Sequence, residues 1–149
     1  MPRFAMLSFA AAIAMAGPAL AAPGDGPCSA ANTAGVWELV SIRADEPGVQ
    51  GFYAEYPVEY MRFGAGGAYI YVARQQPLKS MAEIKASLDR ADAGDGLSYR
   101  AEFARDGTMI IHRNGQPFQG FRCSIKGGQM IWTEYPGNLP LRRVQRRVK

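Results

Sequence analysis

From Gly35 onward, apolar side chains recur at every second position in short runs, and clusters of Gly, Pro, Asn and Asp separate the runs. An alternation of period two over about four to eight residues is the pattern of a strand with one covered face. The first run, Gly35-Val36-Trp37-Glu38-Leu39-Val40-Ser41-Ile42, sends Val36, Glu38, Val40 and Ile42 to one side and Trp37, Leu39 and Ser41 to the other. The sharpest alternation sets Leu97, Tyr99, Ala101 and Phe103 against Ser98, Arg100 and Glu102, so the first group must be the buried one. Further runs over 58–63, 68–73, 108–113, 118–125, 129–135 and 139–148 are linked by turn sequences such as Asp106-Gly107, Asn114-Gly115 and Gly127-Gly128. The pattern predicts an all-β fold, an eight-stranded antiparallel up-and-down barrel. A barrel of that size either fills with side chains or holds one small ligand.

Two stretches break the rhythm. In 77–92, Ser80 and Glu83 form a capping box, and Met81, Ile84 and Leu88 fall on one helical face, which predicts one short helix after the third strand, lying across an end of the barrel as a plug. In 44–57 the Pro, Gly and acidic content predicts a loop. Its Phe52, Tyr53 and Tyr56 would serve either as a lid over the barrel mouth or as packing on the outer rim.

The start of the chain reads differently. Arg3, an apolar run from Phe4 to Ala16 and the Ala19-Leu20-Ala21 cleavage pattern identify residues 1–21 as a signal peptide, too short to span a bilayer and closed by Gly17-Pro18. The expected organisation is a signal peptide (1–21), a tail (22–34) and one barrel domain (35–149), located in the periplasm or secreted. In an oxidising compartment the two cysteines, Cys28 and Cys123, have one intramolecular pairing, and a disulfide between them is expected. The formal charge of +4 becomes +3 without Arg3, and much of it sits in the tail Arg142-Arg143-Val144-Gln145-Arg146-Arg147-Val148-Lys149. That tail reads as a last strand whose outward positions are basic, a composition that discourages edge pairing.

The order of these features is similar to the bacterial lipocalin-like domain family of the calycin superfamily. The Gly35-x-Trp37 opening, Tyr60-x-x-Phe63 before a Gly-rich turn, Tyr99-x-x-x-Phe103, the strand ending in His112, the strand holding Arg122 and the final Arg142-Arg143 carry the resemblance, and the turn at 64–67 departs from it by lacking an acidic residue. The resemblance implies that Gly35 and Trp37 close one end of the barrel, with Trp37 under Arg142 or Arg143 in a cation–π contact.

The catalytic inventory is thin. His112 is the single histidine, the cysteines are expected to be bonded, and neither a phosphate-binding loop nor a nucleophile elbow is present. His112 could pair with Glu134 or Asp106 as acid and base, but a lone His at a strand end is more simply a hydrogen-bonded rim residue. The expectation is therefore a binding protein without cofactor or metal, neither an enzyme nor a binder of nucleic acid. Its partner would be a small hydrophobic or amphipathic molecule held by Tyr60, Arg62, Tyr69, Tyr71, Tyr99, Phe103, His112 and Trp132, with Met130 also inward. Arg62 as the inner cation points first to an anionic ligand. The alternative is a periplasmic protein-binding or inhibitor module that acts through loops or the N-terminal tail.

Overall fold

The computed structural model describes residues 24–94 and 96–149, so the segment read as a signal peptide lies outside the described residues. Nine strands and three α-helices follow in the order β1 (Gly26–Pro27), α1 (Ala30–Thr33), β2 (Gly35–Ala44), α2 (Pro47–Glu55), β3 (Val58–Phe63), β4 (Tyr69–Arg74), α3 (Met81–Gly94), β5 (Tyr99–Phe103), β6 (Thr108–Arg113), β7 (Gln116–Lys126), β8 (Gln129–Glu134) and β9 (Leu141–Arg147), with a single 3-10 turn at Ala65–Gly67 between β3 and β4. The eight predicted strands are β2 to β9, an antiparallel meander in the spatial order β4-β3-β2-β9-β8-β7-β6-β5, with β1 added beside β7. The sheet curls into a nearly closed barrel. Its seam lies between β4 and β5, where the ladder reduces to one bridge, Ala68 with Arg100. Beside that bridge Gly67 has φ +84° and no room for a side chain, since a Cβ there would run into the Ala101 carbonyl oxygen.

Three expectations need correction. The extra strand β1 makes the predicted helix, α3, follow the fourth strand of nine. Rather than plugging an end, α3 lies on the outer face of β3 and β4, where Ile84 and Leu88 bury against Val36, Tyr60 and Ile70. The 44–57 stretch is not a loop throughout, because Pro47 stands at the start of α2, the one helical position where its missing N–H costs nothing.

The barrel is closed at one end by Trp37 and α1. Ser29 caps α1 through a capping box with Asn32, and the Thr33 carbonyl accepts the Trp37 indole N–H at 2.7 Å. The guanidinium over the Trp37 ring belongs to Arg147, 4.3 Å from its centroid, and not to Arg142 or Arg143. Pairing register decides this. Trp37 stands opposite Arg147 on β9, while Arg142 stands opposite Arg43 near the other end of β2. The Arg147 guanidinium also donates to the Ala34 and Asn32 carbonyls, which ties the last strand to α1.

Cys28 and Cys123 form the expected disulfide, with Cα atoms 5.3 Å apart. Together with β1 it holds residues 25–28 against β7, so the segment before β2 is not a free arm. Inside, Trp37, Met61, Phe63, Met109, Met130 and Trp132 form the centre of a continuous core. Among the described residues no helix is long and apolar enough to cross a membrane.

The bond closes a separation of 95 residues, and chain-entropy arguments give about 4–5 kcal/mol for such a loop, with real bridges often delivering less. Replacing both cysteines by serine is expected to lower the unfolding free energy by about 2–5 kcal/mol in urea titrations. A change within error would show that β1 and α1 are held without it.

Candidate functional site

At the end of the barrel opposite Trp37, the strands splay around a cup of about 820 Å³. Phe52 and Tyr53 from α2, Tyr69 and Tyr71 from β4, and Tyr99 from β5 form one side. Phe118 and Phe121 from β7, Trp132 from β8, and Leu139 and Leu141 around the start of β9 form the other. A β-bulge in β2 sets this geometry. The register with β9 shifts between Leu39 and Ser41, so Trp37 faces inward below the bulge, while above it Ile42 and Ala44 line the cup and Ser41 is exposed. The uninterrupted alternation expected for this strand placed Ser41 inside.

Four residues read from sequence as ligand-binding come together in the cup: Tyr69, Tyr71, Tyr99 and Trp132. Phe103 packs against the core beneath, 6.1 Å from the Phe63 ring. Tyr60, Arg62 and His112 do not face the interior. On β3 the inward phase belongs to Glu59, Met61 and Phe63, so Tyr60 lies under α3, where its hydroxyl accepts the Leu78 N–H at 3.0 Å. Arg62 stands on the same outer face, paired with Asp89 at 2.5 Å and Asp92 at 3.5 Å on α3. His112 follows Ile111 across a register shift and meets the largely exposed Glu102 at 3.0 Å on the outside. Neither acid–base partner considered for it is present. Asp106 instead binds Arg122 at 2.9 Å, and Glu134 sits on the rim of the cup, accepting the Leu141 N–H at 3.2 Å. These bonds hold both carboxyls below their ordinary range, Asp106 chiefly through the Thr108 N–H and Glu134 through its own backbone N–H and that of Leu141.

The polar centre of the cup is one that sequence reasoning missed. Arg143 points inward from β9 and forms an ion pair with Glu59, which is 1% exposed. The Tyr53 hydroxyl donates to the other Glu59 oxygen at 2.6 Å, and the guanidinium lies 4.6 Å from the Trp132 centroid and 5.6 Å from that of Tyr53. Burial is the largest single influence and disfavours the charged guanidinium, but the Glu59 charge, the Tyr53 and Tyr69 phenols and the hydrogen bond to Glu59 together outweigh it and hold Arg143 protonated above its ordinary value. Burial pushes the Tyr53 and Tyr69 phenols well above theirs, with the Glu59 charge adding to the effect. The signal for Glu59 was present in the sequence, since it shares its phase with Met61 and Phe63. A carboxylate on the more apolar face of a strand requires a buried partner.

A smaller hollow of about 270 Å³ lies on the other side of the β4–β5 seam, and Tyr71 and Tyr99 border both spaces. Among the described residues, no group of three or more His, Cys, Asp or Glu is arranged to hold a metal ion. No protein-family model and no curated protein sequence matches the chain.

Two outcomes follow from the buried pair. Glu59→Leu leaves a buried guanidinium without its carboxylate and is expected to cost about 3–5 kcal/mol in urea unfolding, with much of that recovered in Glu59→Leu/Arg143→Met. A double variant no more stable than the single one would contradict the pairing. The phenols give a pH dependence. Because Tyr53 and Tyr69 hold their protons in the folded state above their ordinary value of 10.0, their contribution is complete below that pH and is lost as pH rises above it, by about 1.4 kcal/mol per unit for each group. Phenolate absorbance should show part of the tyrosine signal appearing only with unfolding, and Tyr53→Phe/Tyr69→Phe should reduce that part; a signal left unchanged by the double substitution would refute this.

Proposed function

We propose that the protein is an exported, lipocalin-like barrel that binds a small hydrophobic or amphipathic molecule in the cup. The observation that carries the reading is the distribution of exposed apolar surface. Of the six large hydrophobic side chains that are exposed among the described residues, Phe52, Tyr71, Phe118 and Leu139 line this one cavity. Apolar surface gathered at a concave mouth, above a floor with a few fixed polar groups, is the usual form of a small-molecule site. The cup volume falls within the range of roughly 300–1,000 Å³ common to such sites.

Export is supported by the Arg3-to-Ala21 pattern and by the disulfide, which persists in oxidising compartments. The lipocalin-like assignment is supported by the meander, the nearly closed barrel and a first-strand Trp under an Arg of the last strand. Selection for an anionic ligand loses its basis with Arg62 on the outer face, since the inner cation, Arg143, is already matched by Glu59.

The exposed aromatic rim also suits a protein-binding module, and one titration separates the two readings. A neutral naphthylamine probe is expected to bind the folded protein with saturable 1:1 stoichiometry and a fluorescence rise. Tyr99→Ala should weaken binding about tenfold, the scale of one lost aromatic contact, without changing the unfolding midpoint by more than that truncation explains. Absence of saturable binding to folded protein would favour the protein-binding reading.

A further inference from the structure

Resting on the cup as a ligand site, we infer that it selects amphipathic cations, molecules with an organic ammonium head and an apolar body, over anions of the same shape. Three carboxylates line the cup, Glu46, Glu59 and Glu134, against one guanidinium, Arg143. Glu59 and Arg143 neutralise each other at the buried floor, and Tyr53 occupies the second Glu59 oxygen. What remains to face a ligand is the pair of carboxylates on the rim.

Among the described residues neither rim carboxylate forms a salt bridge with a basic side chain. Glu46 precedes α2 without capping it through its side chain, and Glu134 accepts a backbone N–H from Leu141. That bond stabilises the anion of Glu134 and keeps it charged, whereas an ion pair would cancel it. The partial positive charge at the start of α2 is small beside these two full charges. Arg113 lies 4.1 Å from the centroid of the Phe118 ring, and neither it nor Arg43 nor Arg142 is among the residues that line the cup.

The walls act in the same direction. Tyr69, Tyr71 and Tyr99 form a cluster with ring centroids 6.0–6.5 Å apart on one side. Aromatic faces carry the negative part of the ring quadrupole and attract an organic ammonium, most strongly where water is excluded. A weakly hydrated alkylammonium can therefore seat its head between the rim carboxylates and the tyrosine cluster while its chain enters the apolar depth. A sulfate or carboxylate head of equal size meets two like charges there, and the one inner cation is already paired.

The test is displacement of the bound neutral naphthylamine probe from the full chain by decyltrimethylammonium and by decyl sulfate, both below their micellar concentrations. The two ligands share the chain and differ in the sign of the head. The ammonium should displace the probe at about tenfold lower concentration at low ionic strength, with the ratio shrinking as salt is raised because the rim charges are in contact with water. In Glu46→Gln/Glu134→Gln, where both amides keep an acceptor, the ratio should fall toward one. Equal or better displacement by decyl sulfate in the wild type overturns the cation preference and leaves the cup reading standing. If calorimetry finds no saturable binding of either amphiphile or of the probe, the cup reading fails and the inference with it.

Discussion

The ion pair between Arg143 and Glu59 ties three separate elements together at the base of the cup. It links β9 to β3 across the intervening β2, and through the Tyr53 hydroxyl it fixes α2 at the mouth. It also sets a guanidinium against Trp132 beneath the cup. A buried pair of this kind adds little net stability compared with an apolar filling, because desolvation consumes most of the attraction. Its value lies in position. A floor of well-packed apolar residues would close the barrel at this end as Trp37, Met61 and Met130 do at the other, whereas a polar cluster with fixed partners leaves the volume above it open.

The two ends are thus built by opposite means. At the closed end, Trp37 is held between the Thr33 carbonyl and the Arg147 guanidinium, and α1 is fastened over it by β1 and the disulfide. At the open end the β2 bulge exchanges the phase of the strand, replacing Ser41 by Ile42 and Ala44 in the wall. One strand therefore serves as a tightly packed base below the bulge and as the side of a cavity above it. The seam between β4 and β5 is the place where the ladder fails, and α3 covers β4 beside it.

Much of the architecture was legible in the amino-acid pattern because the main signals are local. Period-two alternation and Asn-Gly, Asp-Gly or Gly-Gly turns mark the eight barrel strands and their order, and the capping box at Ser80 marks α3. The site was legible only in part. Tyr69, Tyr71, Tyr99 and Trp132 lie on strands whose inward phase is set by the largest apolar groups, and they do line the cup. Tyr60 and Arg62 take the opposite phase from Met61 and Phe63, and α3 supplies a second buried surface outside the barrel that an aromatic can occupy, so aromatic character alone does not mark the inward face. Arg147 as the partner of Trp37, Arg143 as the partner of Glu59, and the bulge in β2 all depend on cross-strand register. Register is a property of pairs of strands, and a single strand's pattern does not contain it.

The claim that this barrel is a small-molecule carrier is tested most directly by native mass spectrometry of the folded protein, isolated from the cells that make it without denaturation and refolding. The account predicts a population carrying a single adduct of small-molecule mass, released on unfolding and competed away by the neutral naphthylamine probe. Protein that is always at its bare mass, and that takes up neither the probe nor any amphiphile in solution, would contradict it.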